Sequence, residues 1–156
     1  MSPADTESGA EDWLVRPAHP ADWAAACAVI AVGAFDIPPL LANETVFGEA
    51  TASGGIYVAT TDELVIGALG AQPLAYDGEK PYTLWIEVVA VHPAWRRLGI
   101  GTALYHALGQ WAEKLGVQGA LTAHLGEPAA AALHWHVGFV IHRDDLLLWR
   151  FDHETT

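Results

Sequence analysis

Residues 83–109 read TLWIEVVAVHPAWRRLGIGTALYHALG, and the predicted fold is built outward from this stretch. Its first part, Leu84 to Val91, is apolar except for Glu87, as expected of a buried strand. Two adjacent arginines and two glycines follow, and after Gly101 apolar residues recur at helical spacing. The stretch therefore predicts a strand, a glycine-containing turn and a helix. Free backbone N–H groups and the helix dipole favour an anion at such a helix N-terminus.

The composition is that of a compact globular protein. Apolar residues make up 52% and charged residues 17% of the 156 positions, which argues against intrinsic disorder. The length predicts a single domain, residues 13–154, preceded by a flexible acidic N-terminus, residues 1–12. Seven basic side chains against 19 acidic ones give a net charge of −12. Nucleic acids and anionic membranes require basic surfaces, so neither is an expected partner, and an amine-bearing partner fits better.

Several features of the sequence bear on location and on metal binding. Cys27 is the one cysteine, so no intramolecular disulfide can form. The polar N-terminus lacks the basic start and apolar core of a secretory signal, and the longest uncharged apolar run, residues 24–35, is too short to span a bilayer. A cytoplasmic protein is therefore expected. The eight histidines show no metal-ligand spacing with other residues, so no metal site is predicted.

Turn-forming residues divide the chain into short elements in the order β, α, α, β, β, β, α, β, α, β, β. The predicted strands cover residues 13–16, 56–60, 64–71, 84–91, 120–125, 140–142 and 146–151. The predicted helices cover residues 20–32, 40–50, 102–115 and 128–137. Short polar connections favour antiparallel neighbours, whereas intervening helices act as crossovers. The sequence therefore predicts an α/β (α+β) fold with a central mixed, mostly antiparallel sheet flanked by helices.

Two common phosphate-binding loops do not fit the turn. A Walker loop requires a Gly-Lys pair, which the chain lacks, and a dinucleotide loop requires a third glycine where Leu104 stands. Arg96 and Arg97 are two of only seven basic side chains, and they directly precede Gly99 and Gly101. Guanidinium groups and backbone N–H groups could converge there on a pyrophosphate, although a plain surface turn would show the same short pattern.

Two longer motifs resemble those of one enzyme family. Residues 89–104, VAVHPAWRRLGIGTAL, are similar to the acetyl-CoA motif of the GCN5-related N-acetyltransferase (GNAT) family, with its Arg/Gln-x-x-Gly-x-Gly/Ala core. Residues 127–139, EPAAAALHWHVGF, are similar to the family's later motif, Asn-x-x-Ala-x-x-Leu/Phe-Tyr-x-x-x-Gly-Phe. The resemblance covers roughly residues 13–151. It implies direct transfer of the acetyl group of acetyl-CoA to an amine, without a metal or a covalent enzyme intermediate.

The resemblance of the first motif implies a set of cofactor contacts. Backbone groups of Val89 and Val91, at a splayed or bulged strand end, would hold the pantetheine arm and the thioester. A backbone N–H near Val89 would polarise the acetyl carbonyl. The turn and the first residues of the helix would hold the pyrophosphate, through Arg96, Arg97, Leu98, Gly99, Ile100, Gly101 and Thr102.

The later motif departs from the family at two positions, since Glu127 replaces the asparagine and His134 replaces the tyrosine. That tyrosine commonly protonates the leaving CoA thiolate. A histidine can also donate a proton, so His134 is the predicted general acid, and the helix register favours it over His136. Glu87 is the first candidate for the base that deprotonates the amine, and His124 is the second. Each of these side chains could instead have a purely structural role.

The acceptor and the oligomeric state stay open at this level. Asp36, Glu44 and Glu49 lie in the region that the resemblance assigns to the acceptor, and they could attract a cationic small-molecule or peptide amine. The histidine at position 134 also leaves an alternative, a noncatalytic acyl-CoA-binding or sensor module on the same fold. The apolar closing strand, Leu146 to Phe151, could support a homodimer.

Overall fold

A computed structural model of the chain describes residues 12–33, 36–62, 64–74, 83–123, 128–143 and 146–151. The strands are β1 (Leu14–Pro17), β2 (Ile56–Thr61), β3 (Leu64–Leu74), β4 (Thr83–Val91), β5 (Gly119–Ala123), β6 (Val140–Arg143) and β7 (Leu146–Arg150). The helices are α1 (Trp23–Val32), α2 (Glu44–Ser53), α3 (Ile100–Leu115) and α4 (Pro128–Val137). The predicted order of elements is confirmed.

The seven strands form one sheet in the order β1-β2-β3-β4-β5-β7-β6. Among the described strands β4 and β5 pair in parallel, and every other neighbouring pair is antiparallel. Helix α3 connects the parallel pair, as a crossover must. The prediction of a mixed, mostly antiparallel sheet flanked by helices is therefore confirmed.

Helix α3 covers one face of the sheet. The spacing of Leu104, Leu108, Trp111 and Leu115 predicts one buried face, and the structure buries Leu104 and Leu108 completely. Trp111 and Leu115 are partly buried against the same cluster. Each fully buried leucine contributes about 1.5–3 kcal/mol of hydrophobic stabilisation. Helices α1 and α2 cover the opposite face, where Phe47 of α2 is fully buried.

The segment predicted as one irregular helix, residues 40–50, is divided in two. Pro39–Leu41 form a 3-10 turn, and α2 begins at Glu44, directly after Asn43. The Asn43 side chain accepts a hydrogen bond from the backbone N–H of Val46 at 2.9 Å, and an N-cap of this kind sets where a helix begins. The 3-10 turn is consequently an element of its own.

Strand β4 contains a β-bulge at Glu87. In the pairing of β3 with β4, Gly70 lies opposite Val88 and Ala71 lies opposite Ile86, so Glu87 has no partner in the register. A bulge of this kind inserts one extra residue into a strand and bends it. The only charge in the apolar run is thus the residue that interrupts the ladder.

The bulge changes the face of the sheet to which β4 side chains point. Ile86 packs in the layer under α3, whereas Val88 belongs to the layer under α1 and α2. In a regular strand these two residues would share a face. Beyond the bulge, Val89 and Val91 therefore point towards α3, and both are partly buried there.

The closing strand does not form the edge of the sheet. β7 pairs with β5 on one side and with β6 on the other, so β6 is the edge strand. A strand paired on both sides has no row of open backbone groups to offer a second copy. The homodimer expected through Leu146–Phe151 therefore cannot form by strand pairing at β7, and its existence stays a prediction.

No helix in the described parts of the chain is long and apolar enough to cross a membrane.

Candidate functional site

The segment between β4 and α3 has a left-handed backbone at two positions. Pro93–Trp95 form a 3-10 turn after His92, whose Nδ1 accepts a hydrogen bond from the N–H of Ala94 at 3.1 Å. Arg97 has φ 68° and Gly99 has φ 87°. Glycine adopts this conformation easily, whereas a side chain costs about 1–2 kcal/mol there. Turns of this type point successive N–H groups to one side, and such concavities bind anions.

Helix α3 presents its N-terminus without a capping side chain, because its N-cap residue is Gly99. The N–H of Ala103 is the first of the helix to bond back, to the carbonyl of Gly99 at 3.0 Å. The N–H groups of the preceding residues cannot be satisfied within the helix. At Gly101 a Cβ atom would lie 2.7 Å from Leu133 Cδ2. Glycine therefore allows α4 to approach this end of α3 closely.

A cavity of about 580 Å³ lies against this N-terminus, a volume within the usual range for small-molecule sites. Three segments of the chain line it, namely the end of β4, the turn with the start of α3, and one face of α4. The described lining residues are Val89, Ala90, Val91, Trp95, Arg96, Arg97, Gly99, Ile100, Gly101, Thr102, Ala132, Leu133 and His136. Eight of the nine predicted cofactor residues are thus brought together. The ninth, Leu98, is exposed and does not line the cavity.

The cavity has the opposite charge to the protein as a whole. Arg96, Arg97 and His136 line it, whereas none of its described lining residues carries a carboxylate. The chain as a whole has a net charge of −12. The Nε of Arg96 also donates to the carbonyl oxygen of Val91 at 3.3 Å, which holds this arginine across the end of β4. This distribution favours an anionic ligand.

One edge of β4 has no partner among the described strands where it lines the cavity. The N–H of His92 donates to the carbonyl of Ile66 in β3 at 2.8 Å. Because backbone groups alternate in direction along a strand, those of Val89 and Val91 point the other way, towards β5. Among the described residues, the pairing of β4 with β5 reaches Ile86, and no described strand pairs with that edge of Val89 and Val91. The structure shows a bulge in β4 at Glu87, and the use of this strand end by an extended ligand stays a prediction.

Glu87 lies outside the lining of this cavity, and both of its carboxylate oxygens have partners. Oε1 accepts a hydrogen bond from the backbone N–H of Leu40 at 3.1 Å, and Oε2 accepts one from the side-chain amide of Gln72. Leu40 belongs to the 3-10 turn that precedes α2, and Gln72 belongs to β3. The bulge carboxylate thus attaches the segment leading into α2 to the centre of the sheet.

The histidines of α4 point in directions that differ from the predicted ones. His134 is 6% exposed, and its Nε2 lies 2.9 Å from the hydroxyl of Tyr105. Its ring packs against Phe139, with centroids 5.0 Å apart. His136 is exposed and lines the cavity together with Leu133. The register therefore turns His136, not His134, towards the cavity.

A buried aromatic cluster explains this rotation of α4. Tyr105, Phe139 and Trp149 pack edge-on or tilted around His134, and Tyr105 is 1% exposed. Burial raises the pKa of Tyr105, so its hydroxyl stays protonated and needs a hydrogen-bond partner. His134 is that partner, and the face of α4 that carries it packs into the core. Residues two apart on a helix differ by about 200°, so His136 faces outwards.

Two of the predicted functional residues, His124 and Glu127, lie outside the described residues. Conversely, five residues line the cavity although the prediction omitted them, namely Ala90, Trp95, Ala132, Leu133 and His136. Leu133 and His136 are three residues apart and so share a helix face, but their spacing does not say whether that face meets the cavity. Among the described residues, no group of three or more His, Cys, Asp or Glu side chains could hold a metal ion.

Comparison with known proteins identifies similar folds and one matching family. The family described as "Acetyltransferase (GNAT) family" matches residues 21–139. The PaiA N-acetyltransferase of Thermoplasma acidophilum, solved with coenzyme A, is similar with a TM-score of 0.73 at 12% identity, over 90% of this chain and 99% of that chain. The ribosomal-protein-S18-alanine N-acetyltransferase of Escherichia coli has a TM-score of 0.67 at 20% identity, over 90% and 94%.

A third solved structure is Rv2747 of Mycobacterium tuberculosis in complex with CoA. Its TM-score is 0.65 at 25% identity, over 83% of this chain and 73% of that chain. No curated protein matches the sequence.

Proposed function

Because the chain belongs to the acetyltransferase (GNAT) family, we propose that it transfers the acetyl group of acetyl-CoA to an amine. The observation that carries this proposal is the cavity, which joins an uncapped helix N-terminus, two arginines and an open strand edge. These three features match an anionic group at one end of a ligand and an extended amide-containing arm at the other.

The donor half of the reaction rests on backbone groups. Backbone N–H groups between Arg97 and Thr102 would bind the pyrophosphate, with Arg96 and Arg97 supplying positive charge. Backbone groups of Val89 and the N–H of Val91 would pair with the amides of the pantetheine arm, as a further strand would. The N–H of Val89 would then stabilise the negative charge that develops on the carbonyl oxygen. These fixed dipoles require no metal.

The acceptor half needs a base. In the reaction the amine nitrogen bonds to the carbonyl carbon, the C–S bond breaks, and the nitrogen loses a proton. We assign the proton transfer to Glu87, directly or through water, with His124 as the second candidate. The two hydrogen bonds that Glu87 accepts, from Leu40 and Gln72, fix the position of its carboxylate at the bulge, and a base must be held in place to take up a proton.

The leaving thiolate needs a proton, and we assign its donation to His134. Leu133, the preceding residue, lines the cavity, whereas His134 itself is buried beside Tyr105. The hydroxyl of Tyr105 within hydrogen-bond distance holds the imidazole in one orientation. Replacement of His134 by phenylalanine should lower the rate of thiol release, and an unchanged rate would exclude this role.

The acceptor is a cationic amine in this proposal. Asp36, Glu44 and Glu49 are exposed on the segment that leads into and forms α2, and Glu87 holds this segment against β4. Carboxylates at this position would attract an ammonium group. A small molecule and a peptide N-terminus are both compatible with it.

One observation favours a second candidate, a noncatalytic acyl-CoA-binding module. Glu87 and His134 both form hydrogen bonds within the protein, with Leu40 and Gln72 in one case and with Tyr105 in the other. Side chains held in this way can serve structure alone. This candidate binds acetyl-CoA as tightly as the enzyme would but releases no thiol.

A thiol-release assay separates the two candidates. The protein is incubated with acetyl-CoA and a panel of amines that includes polyamines, amino acids and peptides, and free CoA is measured. The enzyme is expected to release CoA with at least one amine, and a variant with both Arg96 and Arg97 changed to alanine should need much more acetyl-CoA. Binding of acetyl-CoA without release across the panel and between about pH 6 and 9 would establish the noncatalytic module.

A further inference from the structure

His136 lies on the wall of the cavity that α4 forms. Ala132, Leu133 and His136 share one helix face and line the cavity together. Across the cavity lie Gly101 and Thr102 at the start of α3, with Leu133 in close contact with Gly101. His136 is one helical turn, about 5 Å, beyond that contact. It is the one ionisable side chain that the described part of α4 contributes to the cavity.

His136 lies on the opposite face of α4 from the buried His134. The open backbone of Val89 and Val91 lies within the sheet. His134 points from α4 towards the sheet and is buried, whereas His136 points about 200° away and is exposed. A ligand group that contacts His136 therefore lies at the exposed side of the cavity, away from the buried face of α4.

Coenzyme A carries one more anionic group besides its pyrophosphate. Beyond the pyrophosphate, away from the thiol, the ribose carries a 3′-phosphate. An imidazole N–H donates well to phosphate oxygens. In the proposed function the arginines and the helix N-terminus bind the pyrophosphate, and His136 is the remaining ionisable side chain among the described lining residues.

We propose that His136 binds the 3′-phosphate of coenzyme A and so makes the site select CoA over 3′-dephospho-CoA. This assignment rests on the proposed function, because it takes acetyl-CoA as the donor. It adds a binding residue to the cavity and a specificity that the backbone contacts to the pyrophosphate and the pantetheine arm cannot provide.

The test measures the dissociation constants of CoA and 3′-dephospho-CoA by titration calorimetry for three proteins. They are the wild type, His136→Ala and His106→Ala. His106 is an exposed histidine of α3 that does not line the cavity, so its replacement is the matched control. The His136→Ala variant is expected to bind CoA about tenfold more weakly, while its affinity for 3′-dephospho-CoA stays that of the wild type. The His106→Ala variant should bind both ligands as the wild type does.

A fourth protein, His136→Arg, replaces the imidazole by a planar guanidinium, which also binds phosphate. It should restore or increase the preference for CoA over 3′-dephospho-CoA. Equal weakening of both ligands in His136→Ala, or no weakening of either, would overturn the role of His136 and leave the proposed function intact. A wild type that binds neither ligand would overturn both.

Discussion

At the scale of single residues, two glycines with similar left-handed φ angles lie at opposite ends of α3. Gly99 and Gly116 both have left-handed φ angles, 87° and 78°, and at neither would a Cβ atom meet another atom within 4 Å. Gly99 begins α3 at the cavity, whereas Gly116 ends the same helix. The backbone cost of a side chain is thus the same at both, but only one of them lies at the candidate binding site.

Replacement of each glycine by alanine should separate backbone strain from ligand binding. Both variants are expected to lose about 1–2 kcal/mol of unfolding free energy, measured by urea denaturation. Gly99→Ala should in addition weaken CoA binding, because an added Cβ and a relaxed backbone disturb the N–H groups that face the pyrophosphate. Gly116→Ala should bind CoA as the wild type does, and a comparable loss of affinity in that variant would contradict this assignment.

The hydrogen bonds of Glu87 are compatible both with a catalytic base and with a purely structural anchor. Glu87→Gln keeps the size of the side chain and can still accept the N–H of Leu40. As a general base, Glu87 should contribute a factor of roughly 10²–10⁴, so kcat should fall by that amount while the KM for acetyl-CoA stays unchanged. Steady-state kinetics with the best amine checks this. A kcat within twofold of the wild type would leave Glu87 as the anchor of the 3-10 turn alone.

At the scale of elements, α3 and α4 are joined by a buried polar pair. Tyr105 of α3 and His134 of α4 are 1% and 6% exposed, and they are hydrogen-bonded to each other. A buried hydroxyl without a partner costs about 1–3 kcal/mol, so this pair favours one rotation of α4 about its axis. The same rotation places His136 at the cavity.

The tyrosine also makes stability depend on pH in the alkaline range. Burial raises the pKa of Tyr105 above its ordinary value of about 10, so the unfolded chain loses this proton before the folded protein does. The stabilisation that the protonated Tyr105 hydroxyl contributes to the folded state is complete below about pH 10 and is lost as the pH rises further. Above that pH the wild type should lose about 1.4 kcal/mol per pH unit more than Tyr105→Phe, measured by urea denaturation between pH 8 and 11. Parallel curves for the two proteins would contradict this.

At the scale of the whole molecule, bound coenzyme A should stabilise the folded protein against unfolding. Its cavity joins β4, the turn with the start of α3, and α4. A ligand that binds only the folded state at 100 times its Kd adds about 2.7 kcal/mol of stability. Chemical denaturation in CoA should show this increase, and the variant lacking Arg96 and Arg97 should show less of it at the same CoA concentration. No increase at saturating CoA would contradict the cavity as the cofactor site.

Much of this molecule follows from local pattern. The order of the eleven elements and the turn before α3 depend on periodicity and on glycine positions, which are properties of neighbouring residues. Eight of the nine cofactor residues implied by the resemblance to the GNAT motif line the cavity. Helix α3 illustrates this, because its apolar stripe and its terminal glycines define both its buried face and its ends without reference to the rest of the chain.

The sequence by itself determined which elements form and where the anion-binding turn lies, because those depend on local backbone preference and on hydrophobic spacing. Only the tertiary structure decided three other points: the bulge at Glu87, the place of β7 inside the sheet, and which histidine of α4 faces the cavity. Register and helix rotation depend on partners distant in the chain. Gly70 and Ala71 define the bulge, and Tyr105 holds His134 inwards, so no spacing within β4 or α4 could reveal either.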